Sequence, residues 1–247
     1  MSDSSPQQAS HKPRPWVDLL ISIIIPSVIL MKLSDDAYLG ATWALIIGLA
    51  FPLGWGLWEL VRYRKYNFIA VLGVISVGLT GGIGLLALDA KWLAIKEAAI
   101  PAIIGLAVLI STRTKYPLVR TLLYNPAVLD VDKIQSRLEE KGNEQVFEAR
   151  LLKASYFFAG TFLFSSVMNY ILAKWIVTSP SGTPAFNEEL GQMTLVSYPM
   201  IAIPSMVMMI AIFYYLWRSI RRLTGYTLDE VLSPQVQPQP KTGDERS

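Results

Sequence analysis

Lys96 and Glu97 stand where a membrane protein should carry no ionised group. The uncharged run after them, 98–111, is 14 residues. That is about 21 Å of helix, against a hydrocarbon core about 30 Å thick. A spanning helix must therefore begin near Trp92, which draws both charges into the outer edge of the membrane. Charges there are costly unless they are paired or face a wet cavity. Pro101, four residues after Glu97, removes the helical donor to the Glu97 carbonyl. A lysine, a glutamate and a freed carbonyl on a locally opened helix can hold a polar solute or relay a proton. Asp89 closes the preceding turn, seven residues from Lys96, and pairs with it if the helix starts early. Asn169 comes to the same depth on a later helix, so Asp89, Lys96, Glu97 and Asn169 form an outer polar cluster. Asp18, Glu59, Arg62 and Arg113 form an inner set at the opposite helix ends. The inner set reads either as interfacial salt bridging that anchors those ends or as an inner gate.

Other chemistries lack their residues. The chain has no Cys, and its one His is His11 in a polar stretch. That excludes disulfides, a thiolate nucleophile and a His- or Cys-based metal site. No HExxH, GxSxG, GxxxxGK[ST] or Gly-rich dinucleotide motif occurs. Asp130 and Asp132 make a DxD, which reads as a helix cap more readily than as a divalent-ion site. Met200, Met206, Met208 and Met209 invite a soft-metal reading, but without Cys or His partners they are flexible apolar filler. The expectation is a protein that is not an enzyme and holds no cofactor or metal.

The elements that position these residues are hydrophobic. Charged residues make up 17% of the chain, below the about 25% of soluble domains. Six apolar stretches run over 16–33, 38–60, 68–88, 92–111, 151–175 and 194–217. Of 22 basic residues, 18 fall at the two ends, in the second and fourth gaps or, for Lys153, at the inner start of the fifth stretch; the other side holds only Lys32, Lys91, Lys96 and Lys174. The asymmetry predicts an all-α, polytopic bacterial inner-membrane protein of six transmembrane helices with both termini in the cytoplasm. Basic residues dispersed on short loops meet anionic lipid rather than nucleic acid.

Residues 1–15 and 231–247 read as disordered cytoplasmic tails around a membrane domain, 16–230. The segment 112–150 reads as a cytoplasmic helical insert. In it, 118–124 lies on the membrane surface, and a helix over 133–141 is capped by Asp132 and stopped by Gly142-Asn143. From Glu144 one helical pattern continues into the fifth stretch, where Ser165 and Ser166 supply hydroxyls. The acidic segment 178–191, with two prolines, reads as an outer loop. Pro26 should kink the first helix. Gly78 and Gly82 form a GxxxG pair suited to close helix contact, and such a surface invites a homodimer.

The stretches IIIPSVILMKLS, TGGIGLLALDAKWLAIKEAAIP, RTKYPLVRTLLYNPAVLDVD and VTSPSGTPAFNEELGQMT carry a resemblance. Over about 15–230 the chain resembles a bacterial family of six-helix inner-membrane proteins, commonly labelled transporters, with no established substrate. More distantly it is similar to intracellular septation protein A. Gly81-Gly82, Asp89, Lys96 and Pro101 stand where that family's pattern places such residues. This chain departs from it by having Ile95-Lys96-Glu97 and the longer insert 112–150. The resemblance implies a small transporter or permease, or alternatively a non-catalytic structural or interaction protein of the cell envelope.

Overall fold

The computed structural model describes residues 19–63, 68–114, 120, 124–126 and 128–233, without the side chains of 59, 60, 62, 63, 68–70 and 228. Asp18, the side chains of Glu59 and Arg62, both predicted tails except 231–233, and most of the predicted surface helix 118–124 lie outside the described residues.

The fold is all-α. Its helices are α1 (Ile25–Lys32), α2 (Gly40–Tyr63), α3 (Phe68–Leu85), α4 (Lys91–Ser111), α5 (Val131–Glu140), α6 (Glu144–Ile176), α7 (Pro184–Ser197), α8 (Ile203–Thr224) and α9 (Leu228–Val231). Among the described residues four stretches are long and apolar enough to cross a membrane: Gly40–Trp58, Lys91–Ser111, Glu144–Ile176 and Pro184–Thr224. Leu20–Lys32 and Val71–Leu85 are apolar but shorter. The chain is thus a multi-pass helical membrane protein, and two of the six predicted spans fall below that length.

Pro26 and Pro204 each lie just after a five-residue π-helical turn, Leu20–Ile24 and Tyr198–Ala202. Proline has no N–H to give and its ring collides with the carbonyl four residues back. Widening the preceding turn to the i→i+5 register moves that carbonyl aside. Pro52 and Pro101 are held inside continuous helices.

The chain forms two compact units. The first comprises Met1–Lys96 and Leu172–Ser197. In it α1 packs on both α2 and α7, and α3 packs on α2. The predicted outer loop 178–191 is a correction. Only 177–183 is non-helical, and from Pro184 the chain is helix that buries Phe186, Asn187, Leu190, Gly191 and Met193. The glutamates that made the segment look like a loop lie on its other face: Glu188 is exposed. The Glu189 carboxylate gathers the loop by accepting from the backbone N–H of Thr178 (2.9 Å) and of Ser179 (2.8 Å), and from both hydroxyls.

The predicted glycine pair is not where the described chain packs tightest. A side-chain carbon added at Gly78 or Gly82 would meet nothing within 4 Å. Close approach falls instead on Gly84, against Leu45 and Phe186, and on Gly191, against Met31 and the Ser27 carbonyl. The pair Gly78 and Gly82 therefore serves no contact within the described chain.

The second unit comprises Glu97–Ile171 and Tyr198–Ser247. Its core joins Val108, Phe147, Leu151, Phe158, Leu216 and Ile220 with Ile134 and Leu138 of α5. α5 is amphipathic and brings those two residues to zero exposure. Asp130, rather than Asp132, caps it by accepting from the Lys133 N–H at 3.1 Å. Gly142, at φ +64°, ends it: the Asn143 N–H reaches the Leu138 carbonyl at 2.9 Å and the Gly142 N–H the Glu139 carbonyl at 3.0 Å. α6 then runs 33 residues without a break.

α5 also closes the end of α8. Lys141 Nζ donates to the Thr224 carbonyl at 2.8 Å, and Asn143 Nδ2 donates to the Leu223 carbonyl at 2.9 Å. These carbonyls have no helical donor of their own. The chain after α8 folds back on the insert: Val231 is buried, the Asp130 N–H reaches its carbonyl at 2.8 Å, and the Ser233 N–H reaches the Val128 carbonyl at 2.9 Å. Residues 231–233, assigned from sequence to a tail, are therefore part of the second unit.

Candidate functional site

Lys96 lies on the second turn of α4 and is 9% exposed. Its ammonium donates to Thr80 Oγ1 at 2.6 Å, to Ser76 Oγ at 3.2 Å and to the Ser76 carbonyl at 3.3 Å. Ser76 and Thr80 stand one turn apart on α3, so both present their oxygens to the same side. Thr80 Oγ1 also donates to the Ser76 carbonyl at 3.1 Å, which fixes its hydroxyl proton and leaves its lone pairs to the lysine. A buried charge is tolerable only when its hydrogen-bonding capacity is met, and these three neutral oxygens replace part of the water shell. Such a node can hold a cation in place, or release it toward an anionic or carbonyl group that competes with the hydroxyls.

Asp89 does not pair with Lys96. It accepts from the Lys91 N–H at 2.8 Å and pairs with Lys91 Nζ at 3.3 Å, so it begins α4 as a cap. The N–H bond, and then the lysine, hold its carboxyl below the usual range. Glu97 is half-buried and belongs with Asn169 to the second unit, whereas Asp89 and Lys96 belong to the first. Asn169 donates to the Ser165 carbonyl of its own helix at 2.8 Å. It is Ser166 that crosses between helices, donating to the Ala98 carbonyl at 2.8 Å. Of the inner set, Arg113 is exposed just after α4.

Sequence reasoning missed Ser76 and Thr80, although two hydroxyls at i and i+4 in an otherwise apolar, glycine-rich helix were a usable signal. It also missed Asn187. That side chain is fully buried, donating to Ser34 Oγ at 3.1 Å and to the Ala41 carbonyl at 2.7 Å, while its Oδ1 has no partner. It ties α7 to Ser34 in the turn after α1 and to the first residues of α2. In the second unit a recess of about 390 Å³ is lined by Thr112, Thr114, Glu148 and Ser155, among others, with the Arg120–Glu148 pair (2.9 Å) on its wall. Among the described residues no group of acidic or His side chains is placed to hold a metal ion.

No known protein family, characterised protein or solved structure matches the chain. Its function is therefore argued from the residues themselves.

Proposed function

We propose that the protein is a small transporter or permease of the bacterial inner membrane, with six membrane helices and both termini in the cytoplasm. Leu20–Lys32 and Val71–Leu85 then complete the set, the first with its π-helical turn and flanking residues at the membrane edge. The observation that carries this reading is the buried Lys96 ammonium on Ser76 and Thr80. An ammonium that meets hydroxyl and carbonyl oxygens at hydrogen-bond distance can exchange them for the oxygen of a bound solute, and so it suits reversible engagement of a solute bearing a negative or carbonyl oxygen. Intramembrane lysines commonly mark solute or proton pathways.

The alternative is a structural or interaction protein of the cell envelope, similar to septation protein A. The Lys96 bonds favour it to one extent: as drawn, they clip α4 to α3.

Lys96→Met separates the two readings. Purified full-length protein is reconstituted in liposomes carrying an internal pH-sensitive dye and challenged with a panel of organic anions, while membrane abundance is followed in parallel. Transport predicts a solute-dependent signal that Lys96→Met abolishes at normal abundance. A structural clip predicts no signal from the wild type and reduced abundance of the variant.

A further inference from the structure

Arg218, Arg221 and Arg222 stand at i, i+3 and i+4 in the last two turns of α8, all exposed. Like charges at those spacings repel, so the arrangement needs a reason. The common one is neutralisation of the last helix carbonyls. Here that task is taken by Lys141 and Asn143, which bond the Thr224 and Leu223 carbonyls, and by Arg137 Nε at 3.4 Å from Thr224. Among the described residues none of the three arginines pairs with a carboxylate. Among the described residues, three guanidinium groups are thus left without an anion.

They are also arranged. With Tyr214 and Trp217 they line a recess of about 280 Å³. Arg218 Nη1 donates to the Tyr214 hydroxyl at 3.4 Å, and the Arg221 guanidinium lies 5.8 Å from the centre of the Trp217 ring. The two rings are 5.6 Å apart. The Trp217 indole N–H is shielded from solvent and has no acceptor among the described residues. Guanidinium forks match phosphate oxygens two at a time. The recess lies at one end of the apolar stretch Pro184–Thr224, the depth at which Trp and Tyr mark the headgroup layer.

We infer that the Tyr214–Trp217–Arg218–Arg221–Arg222 recess binds the phosphate headgroup of an anionic phospholipid. The site is independent of Lys96 and of transport, since it needs only that α8 end at a membrane surface. A free phosphate ion shares the chemistry but has no acyl chains to seat beside exposed Phe213 and Ile210, one to two turns earlier.

The test is native mass spectrometry of the full-length protein in detergent, titrated with phosphatidylglycerol or phosphatidylcholine of the same acyl chains. Three basic residues at a membrane surface predict a preference for phosphatidylglycerol of about 10–100-fold. The triple substitution R218Q/R221Q/R222Q should reduce it to near unity, and each single substitution should lower it several-fold. Lys153→Gln, a basic residue outside the recess, should leave it unchanged. Equal retention of the two lipids by the wild type overturns the assignment, as does an unaltered preference in all three single variants. Displacement of bound lipid by inorganic phosphate at matched ionic strength would assign the recess to free phosphate instead.

Discussion

Lys96 Nζ and Thr80 Oγ1 lie 2.6 Å apart, sixteen residues distant in sequence and on neighbouring helices. The bond sets a hydroxyl against a positive charge inside the first unit. Thr80→Val keeps the shape and removes the acceptor. Loss of a hydrogen bond to a charged group costs about 1.5–3 kcal/mol, so the detergent-extracted variant should melt several degrees lower. Thr80→Ser, which keeps the oxygen, should be milder. Equal melting of the Val and Ser variants would show that the bond contributes nothing.

Glycine substitutions should sort by position. Gly84→Leu forces a side chain into Leu45 and Phe186, and overpacking of this kind costs about 1–3 kcal/mol. Gly78→Leu and Gly82→Leu meet open space and should leave the thermal stability of the monomer unchanged. If that surface pairs two copies, they should instead shift the oligomer to monomer in light scattering. Destabilisation of the monomer by Gly78→Leu would contradict the placement of α3.

The clamp between α5 and the C-terminal segment should be separable from the membrane helices. Asn143→Ala deletes the bond to the Leu223 carbonyl and should cost about 0.5–1.5 kcal/mol. Val231→Asp places a charge at a position 1% exposed, so it should release the segment and open the insert to limited proteolysis. Protection equal to the wild type in Val231→Asp would refute the docking.

Tyr124 gives the insert an alkaline limit. Burial pushes its phenol up to about 12, and its hydroxyl lies 3.2 Å from the Val131 carbonyl. In the unfolded chain the phenol titrates near about 10. The folded state therefore holds its proton more tightly. The stability this provides is complete below about pH 10 and is lost as pH rises toward 12. Absorbance titration should show one tyrosinate forming last, together with opening of the insert. Tyr124→Phe should abolish that step.

The proposed topology has its own check. Reporter fusions at residues 64, 130 and 225 should report the cytoplasm, and those at 36, 90 and 185 the outside. A periplasmic signal at residue 130 would invert the reading of the basic residues.

Much of the frame was legible before folding. Hydropathy alone marks α2, α4, α6 and α8 as membrane-spanning in length and composition, because a bilayer demands long apolar helices whatever their neighbours. Gly142-Asn143 announces the end of α5 because a left-handed cap is a local requirement. Lys96 and Pro101 stand out from sequence by helix-length arithmetic alone. What the sequence could not supply is which oxygens meet the ammonium. Asp89 was the nearer candidate along the chain, but Lys91 lies two residues away and takes it, while α3 presents Ser76 and Thr80. The helix over Pro184–Ser197 was likewise hidden: its prolines and glutamates look like a loop until packing turns Phe186 onto α3, Asn187 onto α2 and Gly191 onto α1. The bilayer acts on each segment separately and so is read from the segment. Partner choice among buried polar groups, and which glycine is pressed close, depend on how helices pack, and only the tertiary structure decides that.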